Sequence, residues 1–257
     1  MKRRYRFVQS SPAGYMARII MKWGGGLITD KSSLCTPNMN NISKLANIVG
    51  ILVDNGHSVI IVHGAGSFGH MRAREYRLQE GNIEGIDQYE AIDMVRNDMD
   101  KLNDLIVESL IMHNPIIHSP RDFVRNTGAN FEGDLSPFIS TGVHITFGDV
   151  VDCDPPHDFG ILSGDDLMYR LGTELPDVSH VIFALGGTPG LMSSPDSDAE
   201  LIPIWNEDID YGGHHESDID VTGGIFLKTK RASEISKYVA DVWFVDGCVP
   251  DRIIEIV

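Results

Sequence analysis

Residues 58–70 read SVIIVHGAGSFGH, and this stretch decides the fold. Ser58 to Val62 is continuous in apolar and β-branched residues, the pattern of a strand buried on both faces rather than one. A glycine-rich turn, His63 to His70, follows it without a break. In α/β proteins ligands bind at that position, outside the carboxyl ends of parallel strands. A similar unit lies upstream, where Ile19 to Trp23 forms a short β-run ending in Gly24, Gly25 and Gly26. Between the two, NISKLANIVGILVDN (41–55) sets Ile42, Leu45, Ala46, Val49 and Leu52 at helical spacing, and Gly56 closes that helix.

The alternation continues outward from this β–α–β core. A long helix is expected from about Ile86 to Met112, with Tyr89, Ile92, Met94, Val95, Met99, Leu102, Leu105 and Ile106 on its buried side. Pro115 to His118 begins a strand, and VHITFGDVV (143–151) reads as a β-hairpin or paired strands. Gly164 to Leu171 opens a helix with Asp165 and Asp166 in its first turn, where negative charge suits the helix dipole. VIFAL (181–185) is a buried strand, Thr222 to Val239 a helix, and DVWFV (241–245) the last clear strand. The least regular regions are 126–133 and 193–220. Strands and helices in alternation are the signature of an α/β fold.

A chain of 257 residues, 42% of them hydrophobic, can form one large domain or two small lobes with a continuous core. Its formal net charge of -16 repels phosphate backbones, which argues against a nucleic-acid partner. The same field repels anionic metabolites, so a phosphate pocket has to be locally basic and the placement of single lysines becomes informative. No apolar run approaches the roughly 20 residues that span a membrane. The basic N-terminus, MKRRYRFVQSSPAGYMAR, lacks the apolar core of a secretory signal, so residues 1–17 read as an extension and the protein as cytoplasmic. Cys35, Cys153 and Cys248 are odd in number and scattered, without metal-ligand spacing, and read as buried free thiols.

Glycine turns at strand ends let the backbone approach an oxyanion and aim N–H groups at it. Neither turn is a P-loop, because the spaced G-K-[ST] is absent, and neither has the G-x-G-x-x-G dinucleotide pattern. Either alone is an ordinary tight turn; two of them at strand ends point to a ligand. The segments KWGGGLITDK, IVHGAGSFGH, FGDVV, GILSGDD and DVTGGIFLK, in this order, resemble the amino acid kinase superfamily. SFGH and SGDD with TDK and DVTGG narrow the resemblance to its archaeal-type isopentenyl phosphate kinase branch, whose relatives include fosfomycin kinases. The similarity runs from about Arg18 to Ile254.

That resemblance implies a three-layer αβα sandwich with a central, mainly parallel sheet. It implies an acceptor lobe over about 18–160 and an ATP lobe over about 161–257. Lys22 would contact the ATP phosphates, Lys31 the transferring phosphoryl group, and Lys228 the β- and γ-phosphates from the other side. Asp165 would orient these lysines, and His70 would hydrogen-bond the acceptor's phosphate. Gly24, Gly25, Gly26, Gly66 and Gly186 would adjoin ATP, while Ala65, Gly66 and Gly164 would complete the acceptor's contacts. Mg²⁺ is implied, held by nucleotide oxygens and water rather than by a named side chain. Tyr76, Met94, Val95 and Met99 are candidates for the apolar wall around the acceptor's tail. A homodimer through N-lobe helices is implied as well, and His214 and His215 receive no role.

Two departures stand out. The resembling family usually has T-D-V-D-G after the VIFAL strand, where this chain has LGGTPGLM, with neither acid. Gly26 stands where serine is common. Isopentenyl phosphate is the expected acceptor. A fosfomycin-type phosphonate, another small phosphate, or a non-catalytic nucleotide-binding role are the alternatives.

Overall fold

The computed structural model describes residues 17–194, 198–204 and 224–257. The strands are β1 (Arg18–Trp23), β2 (Ser58–His63), β3 (Ile116–Ile117), β4 (Val124–Arg125), β5 (Glu132–Gly133), β6 (Val143–Phe147), β7 (Asp149–Asp152), β8 (Phe159–Leu162), β9 (Val178–Leu185) and β10 (Asp241–Asp246). The helices are α1 (Gly25–Ile28), α2 (Met39–Asp54), α3 (His70–Glu75), α4 (Tyr89–Ser109), α5 (Pro120–Phe123), α6 (Gly164–Glu174), α7 (Gly224–Ile235) and α8 (Asp251–Ile256). Six strands form the main sheet in the order β10-β9-β1-β2-β6-β3, with every neighbouring pair parallel. β1 and β2 lie in its middle and are buried at every residue, as their unbroken apolar runs require.

The two-residue period of a strand divides β1 between two cores. Ile19, Met21 and Trp23 join Leu45 and Val49 of α2 and Met99 and Leu102 of α4. Ile20 joins Met168 and Leu171 of α6 and Ala232 and Ile235 of α7. The sheet therefore lies between two helical layers, the αβα sandwich expected above. Lys22 shares the parity of Ile20 and so faces the α6/α7 side.

VHITFGDVV is not a hairpin. Only Gly148 separates β6 from β7, too short a link to reverse the chain; instead β6 stays in the parallel sheet. β7 turns away to pair antiparallel with β8, Asp149 opposite Leu162. The long helix is shorter than its apolar pattern, Tyr89–Ser109, and a separate 3₁₀ turn follows at Ile111–His113. Ala17 is buried and its carbonyl accepts from the Ser58 N–H at 3.0 Å, so it belongs to the domain, not to the extension. Of the three free cysteines only Cys153 is buried; Cys35 and Cys248 are partly exposed. Residues 1–16, Thr222, His214 and His215, and most of the 193–220 loop, lie outside the described residues. No helix among those described is long and apolar enough to cross a membrane.

Candidate active site

The residues that follow β1, β2, β6, β8 and β9 all line one cavity of about 560 Å³. That volume is in the range of small-ligand sites. Its charged centre is built from the α6/α7 side. Lys22, 5% exposed, donates to Asp165 Oδ1 at 2.6 Å. Lys228 on α7 donates to both Asp165 oxygens, at 2.9 and 3.0 Å. Asp165 is free for this because Ser163 caps α6, its Oγ accepting from the Asp165 N–H at 3.1 Å. Burial alone would raise the Asp165 carboxyl, but Lys22 and Lys228 offset it and hold the group below the usual carboxylate range. One buried carboxylate thus gathers two ammonium groups on the cavity wall.

Lys31 reaches the same cavity from the loop after α1. Asp30 Oδ1 accepts from the Ser32 N–H at 2.9 Å and from its hydroxyl at 2.7 Å, a local turn that straddles Lys31. A Cβ on Gly26 would come within 3.0 Å of Lys31 Cε. Glycine in place of the family's serine therefore leaves room for the lysine stem. His70, the first residue of α3, lines the cavity together with Ala65.

The glycines have two separate tasks. Gly24, Gly25, Gly26, Gly164 and Gly186 line the cavity, as expected. Gly66 does not. Its φ of +50° and buried position place it against Gly25, whose Cβ, if present, would lie 2.4 Å from Gly66 N. The two glycine turns interlock backbone to backbone, so Gly66 braces Gly25 and is not itself among the residues that line the cavity. The LGGTPG loop keeps its place on the wall through Gly186, Gly187, Thr188, Pro189 and Gly190.

The apolar end of the cavity is lined by Ala73, Val95, Met99, Val150 and Ile161. Val95 and Met99 were expected, and their i, i+4 spacing puts them on one face of α4. Met94 is turned about 100° away, with its sulfur 3.6 Å from Arg72 Nη1. Tyr76 packs against the core behind α3. Neither lines the cavity, so both assignments are corrected.

Asp149 had no assigned role, although it was quoted within FGDVV. It lines the cavity, 3% exposed, and accepts from Arg121 Nε at 2.7 Å. Burial pushes its carboxyl up to about 6, although Arg121 opposes the shift. His63, fully buried and stacked on Phe147 at 4.9 Å, is pushed down to about 4 by burial. Both shifts bear on acid stability. A histidine neutral in the fold takes up a proton on unfolding, so stability is lost as pH falls from about 6.5 toward 4. For His63 that loss reaches about 3 kcal/mol. Asp149 acts oppositely, since its folded carboxyl binds a proton before the unfolded one between about 6 and 3.8, returning part of the loss. Urea unfolding between pH 7 and 4.5 is expected to show a falling midpoint, with a shallower fall in His63→Asn; an equal slope in both proteins contradicts the assignment.

Among the described residues no group of three or more acidic, histidine or cysteine side chains is arranged to hold a metal. Both oxygens of Asp165 are engaged by lysines. The site therefore suits a metal that arrives on phosphate oxygens rather than one held by the protein.

The family model described as the amino acid kinase family matches residues 17–239. The isopentenyl phosphate kinase of Thermoplasma acidophilum is 31% identical over 243 residues, covering 93% of this chain and 95% of that protein. The isopentenyl phosphate kinase of Methanothermobacter thermautotrophicus is 28% identical, covering 91% and 93%. A crystal structure of an isopentenyl phosphate kinase substrate complex superposes with a TM-score of 0.76 and 27% identity, covering 94% of this chain and 95% of that one.

Proposed function

The chain belongs to the amino acid kinase family, and from that premise we propose that it transfers the γ-phosphoryl group of ATP to isopentenyl phosphate. The products are isopentenyl diphosphate and ADP, a step of isoprenoid synthesis. The observation that carries this reading is the convergence of Lys22, Lys228 and Lys31 with His70 on one cavity that also has an apolar end.

The chemistry follows from the acceptor. A phosphate monoester has a second pKa of about 6, so its attacking oxygen is already an anion near neutrality and needs no general base. What the protein must supply is alignment and positive charge in a chain whose net charge is -16. Lys22 and Lys228, set by Asp165, hold the donor's phosphates. Lys31, reaching the cavity from the loop after α1, meets the group in flight. His70 donates to the acceptor's phosphate, which distinguishes a phosphate from an alcohol. Ala73, Val95, Met99, Val150 and Ile161 enclose the short branched tail. Mg²⁺ bound with the nucleotide would neutralise charge on its phosphates. In this reading the acceptor lobe spans about 18–160 and the nucleotide lobe about 161–257, and the enzyme works in the cytoplasm.

The test is ADP release with a panel of isopentenyl phosphate, dimethylallyl phosphate and fosfomycin. Turnover of fosfomycin without turnover of either prenyl phosphate sinks the acceptor assignment. His70→Ala is expected to lower kcat/KM for isopentenyl phosphate about 10- to 100-fold, the worth of a hydrogen bond to a charged group, with the KM for ATP little changed. An equal effect on both substrates contradicts the role given to His70. Homodimerisation through N-lobe helices belongs to the same proposal. Ile111, Met112, Ile116 and Ile117 remain exposed between the end of α4 and the edge strand β3. Light scattering should then read twice the 28.4 kDa chain mass; a monomer at micromolar concentration counts against it.

A further inference from the structure

Asp165 and Asp166 are adjacent in the first turn of α6, and each takes a cation from the same helix α7. Asp165 holds Lys228. Asp166 holds Arg231, whose Nε and Nη2 both reach Asp166 Oδ1, at 2.8 and 2.7 Å. Lys228 and Arg231 are spaced i, i+3, so they occupy one face of α7 a turn apart. We propose that Arg231 is a positioning residue: its ion pair with Asp166 fixes α7 against α6 and so keeps the Lys228 ammonium on Asp165 at the cavity wall.

Three features separate this pair from an ordinary surface bridge. Both partners are buried, the side chains 10% and 6% exposed. Arg231 is also held from two other directions, by Glu234 at 2.6 Å and by the Tyr169 ring, whose centroid lies 5.2 Å from its guanidinium carbon. A planar guanidinium fixed on three sides defines direction as well as distance, which an ammonium does not. Apolar packing between the same helices supplies adhesion without that precision. Met168 and Leu171 of α6 share a buried apolar cluster with Ala232 and Ile235 of α7, a non-directional contact. A displacement near 1 Å at a catalytic group costs on the order of 100-fold in rate. Asp166 gains little for itself from the arrangement: burial raises its carboxyl despite Arg231. Buried ion pairs are weak sources of net stability, so the directional hold on α7 is the larger consequence of this one.

The inference rests on the proposed phosphoryl transfer, and the test keeps the two apart. Variants are compared with the wild type on whichever acceptor of the panel the wild type turns over; a different acceptor overturns the functional reading and leaves this comparison intact. Arg231→Met is expected to lower kcat about 10- to 100-fold, with the KM for the acceptor within about twofold. Arg231→Lys recovers part of that loss. Asp166→Asn loses about tenfold, and the double variant Asp166→Asn/Arg231→Met is no slower than Arg231→Met alone, because one interaction is removed by either change. Should Arg231→Met fail to fold, Asp166→Asn and Arg231→Lys carry the test. The proposal is overturned by a kcat within twofold of wild type in Asp166→Asn or in folded Arg231→Met. It is also overturned by losses that multiply in the double variant, or by a fall in melting temperature without a fall in kcat.

Discussion

Lys31→Ala lowers kcat about 1,000-fold while the Kd for ATP stays within about threefold of wild type. The expectation comes from how the three lysines differ. Lys22 and Lys228 share Asp165, so part of their charge is already compensated in the resting site. Among the described residues Lys31 pairs with no carboxylate, and its stem lies across Gly26. It therefore offers a full charge where negative charge builds up during transfer, and an interaction realised there affects kcat rather than ground-state binding. Its position on a half-exposed loop limits the effect on stability to about 0.5 kcal/mol, so lost turnover reports chemistry rather than unfolding. Single-turnover kinetics and ATP titration measure the two quantities; unchanged turnover, or a parallel loss of ATP binding, refutes the role.

Asp165→Asn is expected to damage stability and catalysis together. It removes the carboxylate that Lys22 and Lys228 share, and breaking a buried pair costs about 3 to 5 kcal/mol. Either loss of a proton or separation of the lysines relieves that cost, and under the proposed function either removes charge from the donor's phosphates. A kcat loss of at least about 100-fold should accompany the stability loss. Urea unfolding and initial rates on the same preparation check both. A variant as stable as wild type with kcat within twofold would show that Asp165 does not organise the lysines.

Most of the site could be read from the chain because it is carried by local patterns at strand ends. The apolar runs of β1, β2 and β9 each lead into a glycine turn, and Lys22, His70 and Gly186 stand beside those turns. Lys31 and Lys228 were found through their motifs. What escaped depends on partners distant in sequence. β7 was misread because its pairing partner β8 lies beyond a loop, while its apparent partner β6 is adjacent. The sequence context of Gly66 cannot show that it presses on Gly25, 41 positions earlier. Asp149 is defined by burial and by Arg121, neither visible in FGDVV. Met94 and Val95 are equally apolar, and only the rotation of α4 in place distinguishes them.

The parity of β1 has a consequence for how the protein can change. Its odd residues enter the layer with Ala73, Val95 and Met99, the walls of the tail pocket, while Lys22 turns to the layer with Asp165, Lys228 and Arg231. Under the proposed function, the apolar contacts to the organic tail and the Lys22–Asp165–Lys228 cluster thus lie on opposite sides of one sheet. Substitutions on separate sides that share no partner are close to additive in free energy. A lineage can therefore reshape what the pocket accepts, one helix face at a time, while its machinery for moving phosphate is inherited intact.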